Sequence, residues 1–196
     1  MKVDGGSFYM DGCNVTSGSA TGVVVGTETL GEVKRTKIHS CRTDGIRIES
    51  RANCFMEGCL ITGNLHAELL VTETGTATVR NNKFIGGNTG KVASHGILVE
   101  NAGKATIENN EICKHGEPEL EVWGAGTEVM SVGNNIHSSG KSGVFVHTSG
   151  LLTSENNNIY KNKKVGVQVK NMGRLISTQD VARANVHGIW LYEGEA

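Results

Sequence analysis

Residues 96–112 read GILVENAGKATIENNEI, and residues 143–159 read GVFVHTSGLLTSENNNI. Superposed, the two stretches share an opening Gly, aliphatic residues at the second and fourth places, a second Gly seven residues on, and a closing Glu-Asn-Asn-x-Ile. The Asn110/Asn157 position recurs along the whole chain as Cys13, Thr36, Cys59, Asn82, Asn110, Asn134, Asn157 and Gln179. The successive spacings are 23, 23, 23, 28, 24, 23 and 22 residues. A period of this length is the mark of a repeat architecture.

Ahead of each of these positions stands a short alternating run. The runs are GVVV from Gly22, GIRI from Gly45, ELLV from Glu68, GILV from Gly96, ELEV from Glu119, GVFV from Gly143, GVQV from Gly166 and GIWL from Gly188. Their second and fourth residues are always aliphatic, which describes a strand with one buried face and one free face. A further apolar column lies two residues after the ladder: Val15, Ile38, Ile61, Phe84, Ile112, Ile136, Ile159 and Val181. Another lies three before it: Met10, Val33, Met56, Val79, Ile107, Ser131, Ser154 and Ile176. Gly75, Gly103, Gly150 and Gly173 follow the strands and are expected in turns that need positive φ.

Three short strands per coil leave no room for a helix, so coils must stack, each strand pairing in parallel with its copy about 4.8 Å away. The expected fold is all-β: a single-stranded right-handed parallel β-helix of about eight coils, in one domain spanning 1–196. The hand follows from the rule for parallel crossovers. Ladder Asn side chains are expected to bond backbone and each other inside the stack. The smaller Cys13, Thr36 and Cys59 predict a weaker ladder in the N-terminal half. Five extra residues in the 28-residue coil are assigned to the loop from Gly86 to His95. Neither end shows an amphipathic cap, so the chain is expected to belong to a longer protein or to dock end-on in an assembly.

The repeat G-h-x-V-x-x-x-G-x-x-x-I-E-x-N-x-I resembles the right-handed β-helix repeats of carbohydrate-binding proteins and sugar hydrolases. It is closest to the β-helix domain of an F-box substrate adaptor of ubiquitin ligases, and more distantly similar to NosD-type periplasmic proteins. That resemblance implies a domain that holds a partner, either a peptide degron or a glycan. No F-box segment is present.

With 196 residues, 27 Gly and a formal charge of -1, the chain shows no basic patch for nucleic acid and no apolar run long enough to span a membrane. No secretory leader is visible, and five cysteines without a Cys-x-x-Cys pair point to a soluble intracellular protein, cytoplasmic or nuclear. Cys13 and Cys59, two coils apart, lie beyond disulfide reach, about 9.6 Å at the strand spacing. His95 and His187 read as turn residues, too distant to share a metal. No cofactor and no metal site are expected.

The free face of the first strand column is where a ligand would sit. Its third-position column includes Leu98, Glu121, Phe145 and Trp190, and its fifth-position column Glu100, Trp123, His147, Lys170 and Tyr192. These nine residues form the candidate binding strip, because aromatic side chains facing out of one sheet suit sugar rings and protein hot spots alike. The leading expectation is a non-catalytic recognition domain for a protein segment or a glycan. The alternative is a structural subunit docking, as a homo-oligomer or in a larger complex, through this strip and its ends. A polysaccharide lyase or hydrolase comes third. Glu100 and Glu121 stand on adjacent coils near His147 and Lys170, but Trp123 lies between Glu100 and His147, and the Asn-Thr-Asp, Gly-His-Gly and Arg-Ile-Lys hydrolase signatures are absent. No catalytic residue is therefore assigned.

Overall fold

The computed structural model describes residues 1–87 and 94–192. Among them are 25 strands and no helix, hence none that could cross a membrane. The strands form three parallel sheets of nine, eight and eight strands, and each strand pairs with its copy one coil away. Within a coil the chain visits the three sheets in turn, as in His95–Glu100, Lys104–Glu108 and Glu111–Cys113. The solenoid read from the period is thus present.

The alternating runs do what their period demands. In the first sheet the inward residues Val23, Ile46, Leu69, Ile97, Leu120, Val144 and Val167 stack in register and are buried. Ile38, Ile61, Phe84, Ile112, Ile136 and Ile159 do the same in the third sheet. Each such side chain contributes about 1.5–3 kcal/mol through removal from water. At the last coil the apolar interior opens: Ile189 and Leu191, in register with Val167 and Val169, are half or more exposed.

The ladder occupies the corner between the second and third sheets. Its residues follow a single left-handed residue such as Asn81, Asn109 or Asn156. Each side-chain oxygen accepts the backbone N–H of the previous member: Cys59 to Asn82, Asn82 to Asn110, Asn110 to Asn134 and Asn134 to Asn157, all at 2.8 Å. Each amide nitrogen of Asn82, Asn110, Asn134 and Asn157 donates to a strand carbonyl, as Asn134 does to Ile107 at 2.8 Å. In the N-terminal half the column is thinner, with Thr36 Oγ1 accepting from Cys13 at 3.2 Å.

The last rung differs from the sequence expectation. Asp180, not Gln179, accepts the Asn157 N–H at 2.8 Å, while Gln179 takes the left-handed position before it. Ala182 and Ser177, rather than Val181 and Ile176, continue the neighbouring columns. The 23-residue step persists through Tyr160↔Arg183 and shortens only afterwards, at Val165↔His187. The missing residue therefore lies after the ladder and does not shift it.

A second ladder, unread in the sequence, runs five residues behind the first. Cys41 N–H donates to Asn64 at 2.8 Å, Ser139 to Asn162 at 3.0 Å, and Asn162 to Asn185 at 2.9 Å. It fills the corner between the third and first sheets, again behind left-handed residues such as Gly63, Ser138, Lys161 and Ala184.

The turn glycines also need a different explanation. Gly75, Gly103, Gly150 and Gly173 do not have positive φ; the two residues ahead of each do, as with Glu73 (φ 49°) and Thr74 (φ 63°). Glycine is required for closeness instead. A Cβ on Gly103 would lie 2.6 Å from the Val71 carbonyl oxygen, and one on Gly173 would lie 2.5 Å from that of Val146. The five extra residues fall between Lys83–Ile85 and His95–Glu100, since the register step is 23 before that connection and 28 after it. Residues 88–93 of that loop lie outside the described residues.

Candidate functional site

The third- and fifth-position residues of the first sheet all face outward in the expected columns, with Glu121 beside Phe145 and Trp123 beside His147. They do not form one open strip. Leu98 is covered, packing with Leu70 and Ala67 under Trp123 in a small outer cluster, so it offers no contact surface. Glu100 is bound locally, accepting from Thr72 at 3.4 Å and Asn101 at 3.3 Å. Trp190 and Tyr192 are exposed and meet each other edge-on at 6.5 Å, forming a separate patch on the last coil.

Between these lies a compact constellation. His147 stacks on Phe145 at 4.2 Å and on Trp123 at 6.0 Å. Its Nε2 lies 2.9 Å from Glu121 Oε1, and its Nδ1 lies 2.8 Å from Thr148 Oγ1. On the other side, His95 Nδ1 stands 3.1 Å from Glu121 Oε2, near enough for charge attraction but off the line of a hydrogen bond. Burial alone would raise the Glu121 carboxyl, but the two imidazoles outweigh it and hold it down at about 2. Glu121 is thus a fixed anion between two histidines.

Beside it a groove of about 320 Å³ is lined by Glu121, Phe145, Gln168, Lys141, Lys164 and Lys170 among others. Lys170 Nζ rests 4.9 Å over the Phe145 ring, a cation–π arrangement. Lys141 is paired with Glu117. Among the described residues, Lys164 and Lys170 have no anionic partner within ion-pair distance, and with three lysines against Glu117 and Glu121 the groove lining is net positive.

The row extends in the opposite direction through residues that precede the strand openings. His95 meets His66 edge-on at 6.0 Å. His66 Nδ1 lies 2.6 Å from Asp44, which also accepts Arg47 at 2.8 Å. The bond to buried Asp44 raises the His66 pKa. Asp44 and His66 went unread because they lie ahead of the runs, outside the period-two pattern that marks a face. The visible signal was their place just ahead of the openings, Asp44 one residue before Gly45 and His66 two residues before Glu68.

Two strand openings carry Glu instead of Gly, and the structure gives the reason. Glu68, His115 and Glu119 form a buried cluster around Gly96, where a Cβ would stand 2.5 Å from Ile112 Cγ2 and 3.2 Å from His115 Cε1. His115 Nδ1 bonds Glu119, its Nε2 lies 3.6 Å from Glu68, and Asn64 bonds Glu68. Burial alone would lower His115, yet the two carboxylates prevail and raise it to about 9.

The model of the family described as "Right handed beta helix region" matches residues 2–92 and 69–196. The chain belongs to the right-handed β-helix family. Solved structures that share the fold of this β-helix include two A-modules of Azotobacter vinelandii mannuronan C-5 epimerases. AlgE6 aligns with a TM-score of 0.56 at 16% identity, over 91% of this chain and 64% of that one. AlgE4 aligns with a TM-score of 0.54 at 17% identity, over the same shares. The β-helix therefore spans about 64% of the length of these modules, and at such identity the likeness establishes the fold. No curated protein matches the chain.

Proposed function

We propose that this β-helix binds an acidic polysaccharide across the outer face of its first sheet, a sugar ring resting on Phe145 and a sugar carboxylate facing Lys164 and Lys170. The observation that carries this is the cationic groove, in which two ammonium groups without an anionic partner among the described residues border an aromatic face beside the fixed Glu121 anion. Glu121 would repel a misplaced carboxylate while accepting sugar hydroxyls, which favours one register of the chain. The two modules of similar fold, named as mannuronan epimerases, make a uronate polymer the first ligand to try.

Calorimetric titration with uronate oligosaccharides and neutral oligosaccharides of equal length tests the reading. Uronates should bind and neutral sugars should not, and salt should weaken the binding. Lys170→Ala should cost about 1 kcal/mol, roughly fivefold in Kd, and Phe145→Ala more. Equal affinity for both sugars, or binding confined to peptides as the F-box adaptor resemblance implies, would refute it. Self-association that closes the groove would favour the structural-subunit reading.

A second reading is favoured by one contact: His147 lies 2.9 Å from Glu121 and is held at its other nitrogen by Thr148. With Nε2 held by Glu121, the imidazole would take a proton beside a sugar carboxylate at Nδ1 once the Thr148 hydroxyl turns away, a step that fits this site better than hydrolysis by paired carboxylic acids. Incubation with uronan would then yield unsaturated or epimerised products, and His147→Gln would stop this without abolishing binding.

A further inference from the structure

On the third sheet, remote from the groove, Glu111–Cys113 pairs with Asn135–His137 so that Cys113 stands directly beside His137. One donor atom from each of Glu111, Cys113 and His137 lies within 4.8 Å of the others. His137 Nε2 is 3.8 Å from Glu111 Oε1. Its Nδ1 is taken up by Ser138 Oγ at 3.0 Å, and its ring is clamped by Tyr160, stacked at 4.7 Å. The imidazole is therefore held with one nitrogen turned toward the carboxylate and thiol, as second-sphere bonds orient histidine ligands at metal sites.

The thiol supplies an independent observation. Cys13, Cys41, Cys54 and Cys59 each direct Sγ at a backbone carbonyl. Cys113 is almost wholly buried, yet among the described residues its Sγ has no hydrogen bond. A buried thiol aimed at an imidazole and a carboxylate has the donor set of a borderline-soft cation: nitrogen and sulfur exclude calcium's all-oxygen preference and suit zinc.

We infer that Glu111, Cys113 and His137 form a binding site for one divalent cation of the zinc class, tying two neighbouring coils together from outside. Zinc bonds of 2.0–2.3 Å at tetrahedral angles need donors about 3.3–3.7 Å apart, so the side chains must close by about 1 Å. Cys113 binds as thiolate, its proton passing to solvent. A water completes the fourth position. Glu111 Oε2 is held by Lys83 at 3.2 Å, leaving Oε1 for the metal.

Cobalt(II) titration of the reduced chain tests the assignment. The expected result is one equivalent bound with a thiolate-to-cobalt charge-transfer band and tetrahedral visible bands, displaced by zinc, together with a rise in Tm. Cys113→Ser should abolish the charge-transfer band. His137→Gln, at a partly exposed position, should weaken binding by more than the ~10–100-fold typical of outer-sphere changes. Cys13→Ser, at the exposed thiol, should leave both unchanged. Absence of the band in the wild-type chain, or its loss in Cys13→Ser but not in Cys113→Ser, would overturn the proposal.

Discussion

Replacing Asn134 by Ala removes one rung from the middle of the buried ladder. Asn134 Oδ1 accepts the Asn110 backbone N–H at 2.8 Å, and its Nδ2 donates to the Ile107 carbonyl at 2.8 Å. Asn110 retains its own amide bond to Val79. The substitution therefore strands one buried N–H and one carbonyl lone pair, each worth about 1–3 kcal/mol. The expected loss is about 2–6 kcal/mol, a large part of a typical domain's stability. Denaturant unfolding gives the total, and amide hydrogen exchange at Asn110 reads the stranded N–H directly. Asn135→Ala, one residue along on the exposed face, is the control and should change stability by only a few tenths of a kcal/mol. A loss below about 0.5 kcal/mol with the Asn110 amide still protected would refute the reasoning, because the ladder would then not be what satisfies that amide.

His115, held at about 9 against an ordinary value of 6.5, binds its proton more tightly when folded. Its contribution of about 3 kcal/mol is full below pH 6.5 and is lost as pH rises through 9, so Tm should fall between pH 7 and 9.5. His115→Gln should flatten that slope in thermal melts, and an unchanged slope would rule the cluster out as its source. Glu121 acts in the opposite sense: its carboxyl, lowered to about 2, stabilises the fold above pH 4.5, and that support fades as acid approaches pH 2. Glu121→Gln should therefore reduce acid sensitivity in the same melts. Gly103→Ala would set a methyl 2.6 Å from the Val71 carbonyl oxygen, costing about 1–3 kcal/mol through overpacking. Unfolding titrations showing no loss would mean that the corner can open freely.

What was legible in the sequence was whatever repeats with a physical necessity. Paired aliphatic residues such as Ile97/Val99 and Val144/Val146 must face inward, and Asn110, Asn134 and Asn157 must satisfy the corner, so both columns stood out. The last coil misled because Gln179 and Asp180 are both polar; only the hydrogen bond from Asn157 separates rung from turn. The second ladder escaped because its column mixes Cys41, Asn64, His115, Ser139, Asn162 and Asn185, which share an acceptor or a small size but no residue type. At the site, the columns placed Glu121, Phe145, His147 and Lys170 correctly on one face. They could not show that Leu98 is roofed by Trp123, or that His95 reaches Glu121, because these depend on rotamers and on contacts between coils.

The hydrogen bond from Asn82 to Asn110 spans 28 residues and that from Asn110 to Asn134 spans 24, yet both measure 2.8 Å, as does the 23-residue bond from Asn134 to Asn157. The coil is thus metered in space by its ladder and not by its contour length. A corner can take up extra sequence without disturbing the rungs on either side. The connection between Lys83–Ile85 and His95–Glu100 is accordingly a natural graft point: foreign loops of differing length inserted there should leave the scaffold's melting behaviour intact while changing what the surface displays.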